Sequence, residues 1–430
     1  MLLVHLEHPS PRARYIVRHL FERMLGWAVA FAATREEFRS ATGPKLLYAA
    51  APEDGAFFLP DSGGLRATGM NGPSPAAYVA GDPLLLFSTS AREDVLAAAF
   101  FLIAGVEEWT ITARDRFGRI PADALFLVRN RLEGVPWVDR WALDLAKAIG
   151  TCYPSLPAPS RTYRHVLTVD VDNALKYQGR PFHRAIGASV KEALRGRFSA
   201  TRERWRVRAG DQRDPYAALP QVLERLHGRV GRTIAFFLMR GGGAFNHGAD
   251  MRHPAVRGLV RATAQHAEIG VHPSFGSSDD PALITQERDA LIGIVDRSVG
   301  CSRQHFLRWR LPDTFRALAA LGIQEEHSLG FSDRIGFRRG TCTPFPWYDL
   351  ERDEETSLMC WPFAAMDTAL RDHAGLDAAA AARAMTRSSD VVRAVQGTFV
   401  SVWHDRCLSG HGPYMGWPEA MEEVVQQARA

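Results

Sequence analysis

The chain has 430 residues, 46% of them hydrophobic, and a net charge of 52 − 48 = +4. That length is about two to three ordinary domains and leaves room for two packed cores, while so small a charge on so large a chain gives no sign of nucleic-acid binding. The five cysteines, Cys152, Cys301, Cys342, Cys360 and Cys407, are odd in number and scattered without a CxxC pair, which excludes a disulfide framework or a cysteine-rich zinc site and fits a reducing compartment.

The amino terminus, MLLVHLEHPSPRARY, lacks the apolar core and cleavage site of a signal peptide. The longest apolar run, residues 95–106, stops at Glu107-Glu108 and is too short to span a bilayer. A cytoplasmic protein is the expectation. In chain order, residues 14–25 have helical periodicity and stop at Gly26. Residues 45–50 form a short strand, residues 63–75 read as a Gly/Ser/Asn/Pro-rich loop, and residues 94–108 and 137–149 form helices. The stretch CYPSLPAP, residues 152–159, carries three prolines in eight residues and reads as a linker. The expected organisation is a smaller α/β domain at 1–155, of uncertain topology, and a second domain at 161–430.

Beyond the linker the pattern is α/β. Strands are expected at 164–169, 233–239, 268–271 and 399–403, with weaker candidates at 306–309, 322–324 and 357–361. Helices at 281–299, 313–321 and 376–395 lie between them, the alternation of parallel strands with crossover helices.

Chemically loaded residues cluster at the strand ends. Asp170 and Asp172 follow the first strand in TVDVDNA, and His272 follows EIGV. Arg303 and His305 sit in SRQHFLRW, and His404-Asp405 follow FVSVW. Carboxylates and histidines gathered there can bind a metal and activate water. Taken singly, each has a plainer role: a turn-forming Asp, a loop His, an Arg in a surface ion pair, a core His. The order of the whole set is what points to chemistry.

That ordered set resembles the polysaccharide deacetylase family (carbohydrate esterase family four), and more closely a two-domain bacterial subgroup with an uncharacterised N-terminal domain. The resemblance spans roughly residues 11–417. It implies a distorted (β/α) barrel for the second domain, with Asp170 as base and Asp172 as metal ligand. HAEIGVHPSFG matches the family's histidine motif through His272, but Gly276 stands where a second histidine is expected. His305, two residues past Arg303, can replace it, because alternation along a strand puts both on one face. By the same resemblance Arg303 orients the catalytic aspartate, and His404 is the general acid. Residues 331–349 resemble a subgroup segment whose Arg338, Trp347 and Tyr348 line a sugar site; an ordered loop is the alternative. FFLIAGVEEWTITARDRFGRIP resembles the subgroup's N-terminal domain, with no chemistry attached to Glu107, Glu108, Asp115 or Arg119.

The implied activity is metal-dependent removal of N-acetyl groups from an amino-sugar-containing glycan or its precursor. Zinc is the expected metal, though cobalt, nickel or iron also accept Asp and His ligands. The alternatives are a non-catalytic glycan-binding protein on the same scaffold, or hydrolysis of another C–N or ester bond. Residues 180–213 hold ten Lys or Arg and three acids. Such a segment can make weak contact with a membrane surface, or it is a solvated helix pair inserted after the first strand. Oligomeric state is open.

Overall fold

Apolar and polar residues alternate from the first residues onward, and LLVHL forms a strand, β1 (Leu2–Leu6), that buries Leu2, Val4 and Leu6 on one face. It is the computed structural model of the chain that shows this, and it describes residues 1–70, 88–89, 92–242 and 244–429. The expected loop at 63–75 therefore lies partly outside the described residues. Contacts divide the chain into two units. The first comprises Met1–Arg164, Gly336–Pro362 and Asp390–Phe399; the second comprises His165–Ile335, Phe363–Ser389 and Val400–Ala430.

In the first unit, β1 pairs in parallel with β2 (Val29–Phe31) and β3 (Lys45–Ala49), and β3 with β4 (Phe57–Pro60). The helix expected at 14–25 begins earlier, at Pro11. Ser10 caps it by accepting from Ala13 N, and proline suits the first turn. It is an α-helix over Pro11–Val17 and a π-helix over Arg18–Met24, and the chain turns at Gly26 with φ +72°. The apolar helix is Val95–Ala104, every residue buried, capped by Asp94 and ended by Gly105 at φ +61°. It stops short of the expected 108 because a left-handed residue closes the helix; residues 106–109 form a 3-10 turn. The helix Trp137–Cys152 runs past the expected 149. Its buried Asp139 accepts from Arg161 Nη2 at 2.7 Å, Thr341 Oγ1 at 2.7 Å, Cys342 N at 3.0 Å and Thr343 Oγ1 at 2.5 Å. One carboxylate thus ties residues 341–343 into this unit. The chain continues there as an antiparallel hairpin, Phe345–Asp349 with Glu354–Cys360, which takes up the strand expected at 357–361.

The second unit is built on β5 (Arg164–Val171), β6 (Arg232–Phe237), β7 (Glu268–Val271), β8 (Cys301–Ser302), β9 (Glu325–Glu326), β10 (Ala365–Met366) and β11 (Thr398–His404). Their order is β9-β8-β7-β6-β5-β11-β10. The registered pairings β9–β8, β8–β7, β7–β6, β6–β5 and β11–β10 are all parallel. Every residue of β5 but the first is buried, as in a sheet covered on both faces. Among the described residues β9 and β10 do not pair with each other, so these strands form a largely parallel sheet that does not close into a barrel. The helices Ala282–Val295, Asp313–Ala320 and Ala378–Ala394 fall within the expected ranges. The strand expected at 306–309 is absent: Phe306 and Leu307 have positive φ, and the segment is a 3-10 turn over His305–Leu307. The strand expected at 322–324 forms just beyond, at Glu325–Glu326.

Candidate metal centre

Parallel neighbours end on the same side of a sheet, and five chain segments deliver their polar residues there. Asp170 lies in β5 and Asp172 just past it; His272 follows β7, Arg303 follows β8, Asp367 follows β10, and His404 ends β11. All are buried.

Asp172, His272 and His305 converge. Asp172 Oδ1 lies 3.3 Å from His272 Nε2 and 3.3 Å from His305 Nδ1, and those two nitrogens are 3.0 Å apart. His272 Nδ1 faces the Arg303 carbonyl at 2.6 Å, and His305 Nε2 faces the Phe245 carbonyl at 3.1 Å. A carbonyl only accepts, so in each ring the outer nitrogen carries the hydrogen and the inner one presents a lone pair. Asp172 Oδ1 accepts no hydrogen bond. Three electron-rich atoms thus meet in a buried space with no donor between them, an arrangement a cation relieves. Burial lowers the His272 pKa, but the Asp170 and Asp172 carboxylates outweigh it and leave it raised, again favouring positive charge here. Ligands about 2.0–2.1 Å from a tetrahedral zinc stand about 3.3–3.4 Å apart, close to the separations found. The donor set fits a divalent metal, with each histidine steadied by a backbone carbonyl.

His305 arrives by a route that alternation along a strand does not describe. β8 ends at Ser302. The turn is held by Gln304 N donating to Ser328 Oγ at 2.8 Å and His305 N donating to Pro273 O at 3.1 Å. The second bond ties the turn to the loop carrying His272. Gly276 lies in the 3-10 turn Phe275–Ser278.

Beside the cluster, Arg303 Nη1 donates to Asp170 Oδ1 and to Thr168 Oγ1, each at 2.8 Å, and Arg303 Nε donates to His327 O at 3.0 Å. The guanidinium lies over the Phe236 ring at 4.6 Å. These contacts fix Asp170 as an oriented carboxylate paired with a buried cation. His404 is held differently from the other two histidines. Its Nδ1 is 2.6 Å from Asp367 Oδ1, and its N–H donates to Asp367 Oδ2 at 2.8 Å. Burial lowers its pKa, but Asp367 overrides this and carries it up to about 9. Its Nε2 is 3.9 Å from Asp172 Oδ2. Two imidazoles backed by carbonyls are suited to ligation, and one backed by a carboxylate is suited to carrying a proton.

Asp367 and Arg406 are the residues that sequence reasoning missed. Arg406 Nη1 donates to Asp172 Oδ2 at 2.9 Å, leaving Oδ1 for the cluster. Asp405 accepts from Asn173 N at 2.9 Å and Ala174 N at 2.8 Å, holding the turn after Asp172. The signal for Asp367 was a strand-end Asp in FAAMDT, as with Asp170, but its strand is two residues long and leaves no periodicity.

Arg338, Trp347 and Tyr348 belong to the first unit. Arg338 Nε donates to Glu108 Oε1 at 3.0 Å, Trp347 stacks on Trp109, and the Tyr348 hydroxyl donates to Asp353 Oδ1 at 3.0 Å. Both aromatic residues are buried there. Of the first-half residues without assigned chemistry, Glu108 also pairs with Arg339, and Asp115 accepts from Arg119 Nε at 2.8 Å.

Fold and site together define an α/β protein with a buried carboxylate–bis-imidazole cluster at the strand ends. Residues 2–154 match the model of a family of unknown function, DUF7033. No curated protein matches the chain. Among solved structures it is similar to a candidate polysaccharide deacetylase from Mycobacterium smegmatis, at 17% identity over 62% of this chain and 84% of that one, TM-score 0.41. It is also similar to a polysaccharide deacetylase from Bacillus cereus (11%, 62% and 86%, TM-score 0.32) and to a candidate polysaccharide deacetylase of O-antigen biosynthesis from Bordetella bronchiseptica (12%, 63% and 86%, TM-score 0.30). With TM-scores this low, only the chain's own site carries functional weight.

Proposed function

We propose that the chain is a metal-dependent hydrolase that removes N-acetyl groups from an amino-sugar-containing glycan or glycan precursor. The observation that carries this is the convergence of three lone-pair donors, Asp172, His272 and His305, beside an Arg303-held carboxylate and an Asp367-backed imidazole. A divalent metal on the three donors, zinc by their chemistry, would supply Lewis acidity toward an acyl carbonyl. Asp170, held in place by Arg303 Nη1, takes the proton of the attacking water. His404 carries a proton on Nε2 and gives it to the departing amine nitrogen, while Asp367 holds the ring in place and favours the imidazolium. The amide C–N bond breaks, and the products are acetate and a free amine. The distorted barrel, the domain limits of 1–155 and 161–430, and a cytoplasmic setting belong to the same reading.

The test is acetate release from a panel of N-acetylated sugars and oligosaccharides by the metal-loaded protein. Activity on at least one, lost in both Asp170→Asn and His404→Ala while metal content stays at the wild-type level, supports the reading. Turnover retained by either variant sinks it.

A further inference from the structure

Past Asp172 the chain leaves the sheet and makes three α-helices before returning to β6, Leu219–Leu226 being the last; the first two are Phe182–Ala193 and Phe198–Ala209. They pack through Arg204, which donates to Glu192 Oε1 at 2.6 Å and Ser189 Oγ at 3.2 Å, and Ala185 is buried on the first helix. Those contacts define the inward side of the first helix. Phe182, Ile186, Val190 and Leu194 follow one another at intervals of four and line one flank of that helix as a stripe, Phe182 also meeting Trp205 of the second helix edge-on. They are exposed by 60%, 45%, 54% and 84%, and Phe198, opening the next helix, by 67%. Among the described residues, these are five of the nine large hydrophobic side chains that stand exposed. Single exposed hydrophobics are ordinary, whereas a contiguous set marks a contact surface. Arg184 and Lys191 on the first helix, Arg202 on the second, and Arg195 and Arg197 in the turn between them are exposed.

We propose that this helical insertion rests on an anionic phospholipid bilayer, with the stripe seated in the headgroup–acyl boundary and the basic residues against lipid phosphates. The stripe covers one side of a helix about 18 Å long, the pattern of a segment that lies in an interface rather than crossing it. Charge selects the partner. Residues 180–213 carry ten Lys or Arg against three acids, so a second copy would oppose like charges, while an anionic surface complements them. This docking is independent of the reaction assigned to the strand ends.

The full chain is to be sedimented with vesicles of phosphatidylcholine alone and of phosphatidylcholine mixed with phosphatidylglycerol. Binding to the mixed vesicles, weakened by salt and nearly absent on the neutral ones, is the expected result. Combining Ile186→Glu, Val190→Glu and Leu194→Glu should weaken that binding by at least about tenfold at an unchanged melting temperature. Combining Arg184→Gln, Lys191→Gln and Arg195→Gln, which leaves the stripe intact, should remove the preference for anionic vesicles. No binding to mixed vesicles, equal binding to neutral ones, or undiminished binding by the charge variant overturns the proposal. So does a dimer that the stripe variant abolishes without any vesicle binding, which would assign the stripe to a second copy.

Discussion

His404 and the two histidines of the cluster differ only in what stands behind the ring, and that difference yields a prediction about Asp367. Its carboxylate touches the ring nitrogen remote from the site, so Asp367→Asn should leave metal content at the wild-type level while lowering kcat by about a hundredfold or more. Parallel loss of metal and activity would show instead that Asp367 supports the cluster as a whole. A second prediction concerns His165, whose ring nitrogen Nε2 lies 3.0 Å from Ser401 Oγ. Burial drives its pKa from 6.5 down to about 3. Above 6.5 both folded and unfolded states are neutral there, and the residue adds no pH dependence. Below 6.5 the unfolded chain takes up a proton that the folded chain refuses until about pH 3, so stability falls by up to about 1.4 kcal/mol per pH unit on this account. In thermal melts, any deficit of His165→Gln at pH 7.5 should shrink as the pH falls toward 5; a constant difference would contradict the assignment. The residues legible in sequence were those with strong strand signals before them: TVDVD, EIGVH and FVSVWH each end an apolar run on a polar group. Arg406 and Asp367 stayed hidden because their roles depend on partners 234 and 37 residues away.

At the scale of elements, periodicity located long helices and buried strands, and turn chemistry set the ends. Val95–Ala104 shows the limit: the apolar run continues to Val106, but Gly105 at φ +61° closes the helix. An added Cβ there would stand 0.9 Å from Arg339 Nη1, a group buried against Glu108. Gly105→Ala should therefore cost about 2 kcal/mol or more, read as a lowered urea midpoint; an unchanged midpoint would mean that the Arg339 side chain moves aside freely. The strand expected at 306–309 failed for a related reason: hydrophobic spacing does not report the positive φ of Phe306 and Leu307. That turn is what carries His305 to His272, so a local misreading of backbone fell on a functional segment. The hairpin Phe345–Asp349 with Glu354–Cys360 was visible only as weak strand signal, because Phe345–Asp349 is buried throughout and its register shifts between Pro346 and Tyr348, which leaves no alternation to read.

Across the whole molecule, two units are interleaved in sequence, and a linear reading sees only the first crossing, at the proline-rich stretch. The returns of residues 336–362 and 390–399 to the first unit are held by contacts such as Asp139 with Thr341 and Cys342, and Arg161 with the Val395 carbonyl, around the nearly inaccessible Asp139–Arg161 pair, which no spacing in the sequence announces. Breaking that pair with Asp139→Ala should destabilise the chain by about 3–5 kcal/mol, since it strands a buried guanidinium and frees residues 341–343. Chemical denaturation measures it, and a loss under about 1 kcal/mol would show that the carboxylate does not anchor the segment. The account as a whole turns on whether Asp172, His272 and His305 hold a metal. The direct test is metal content by mass spectrometry of the purified, reconstituted protein beside His272→Ala and His305→Ala. Near one equivalent of a divalent metal in the wild type, lost in both variants, is the predicted result; a wild type that takes up no metal, or variants that retain it fully, would contradict the account.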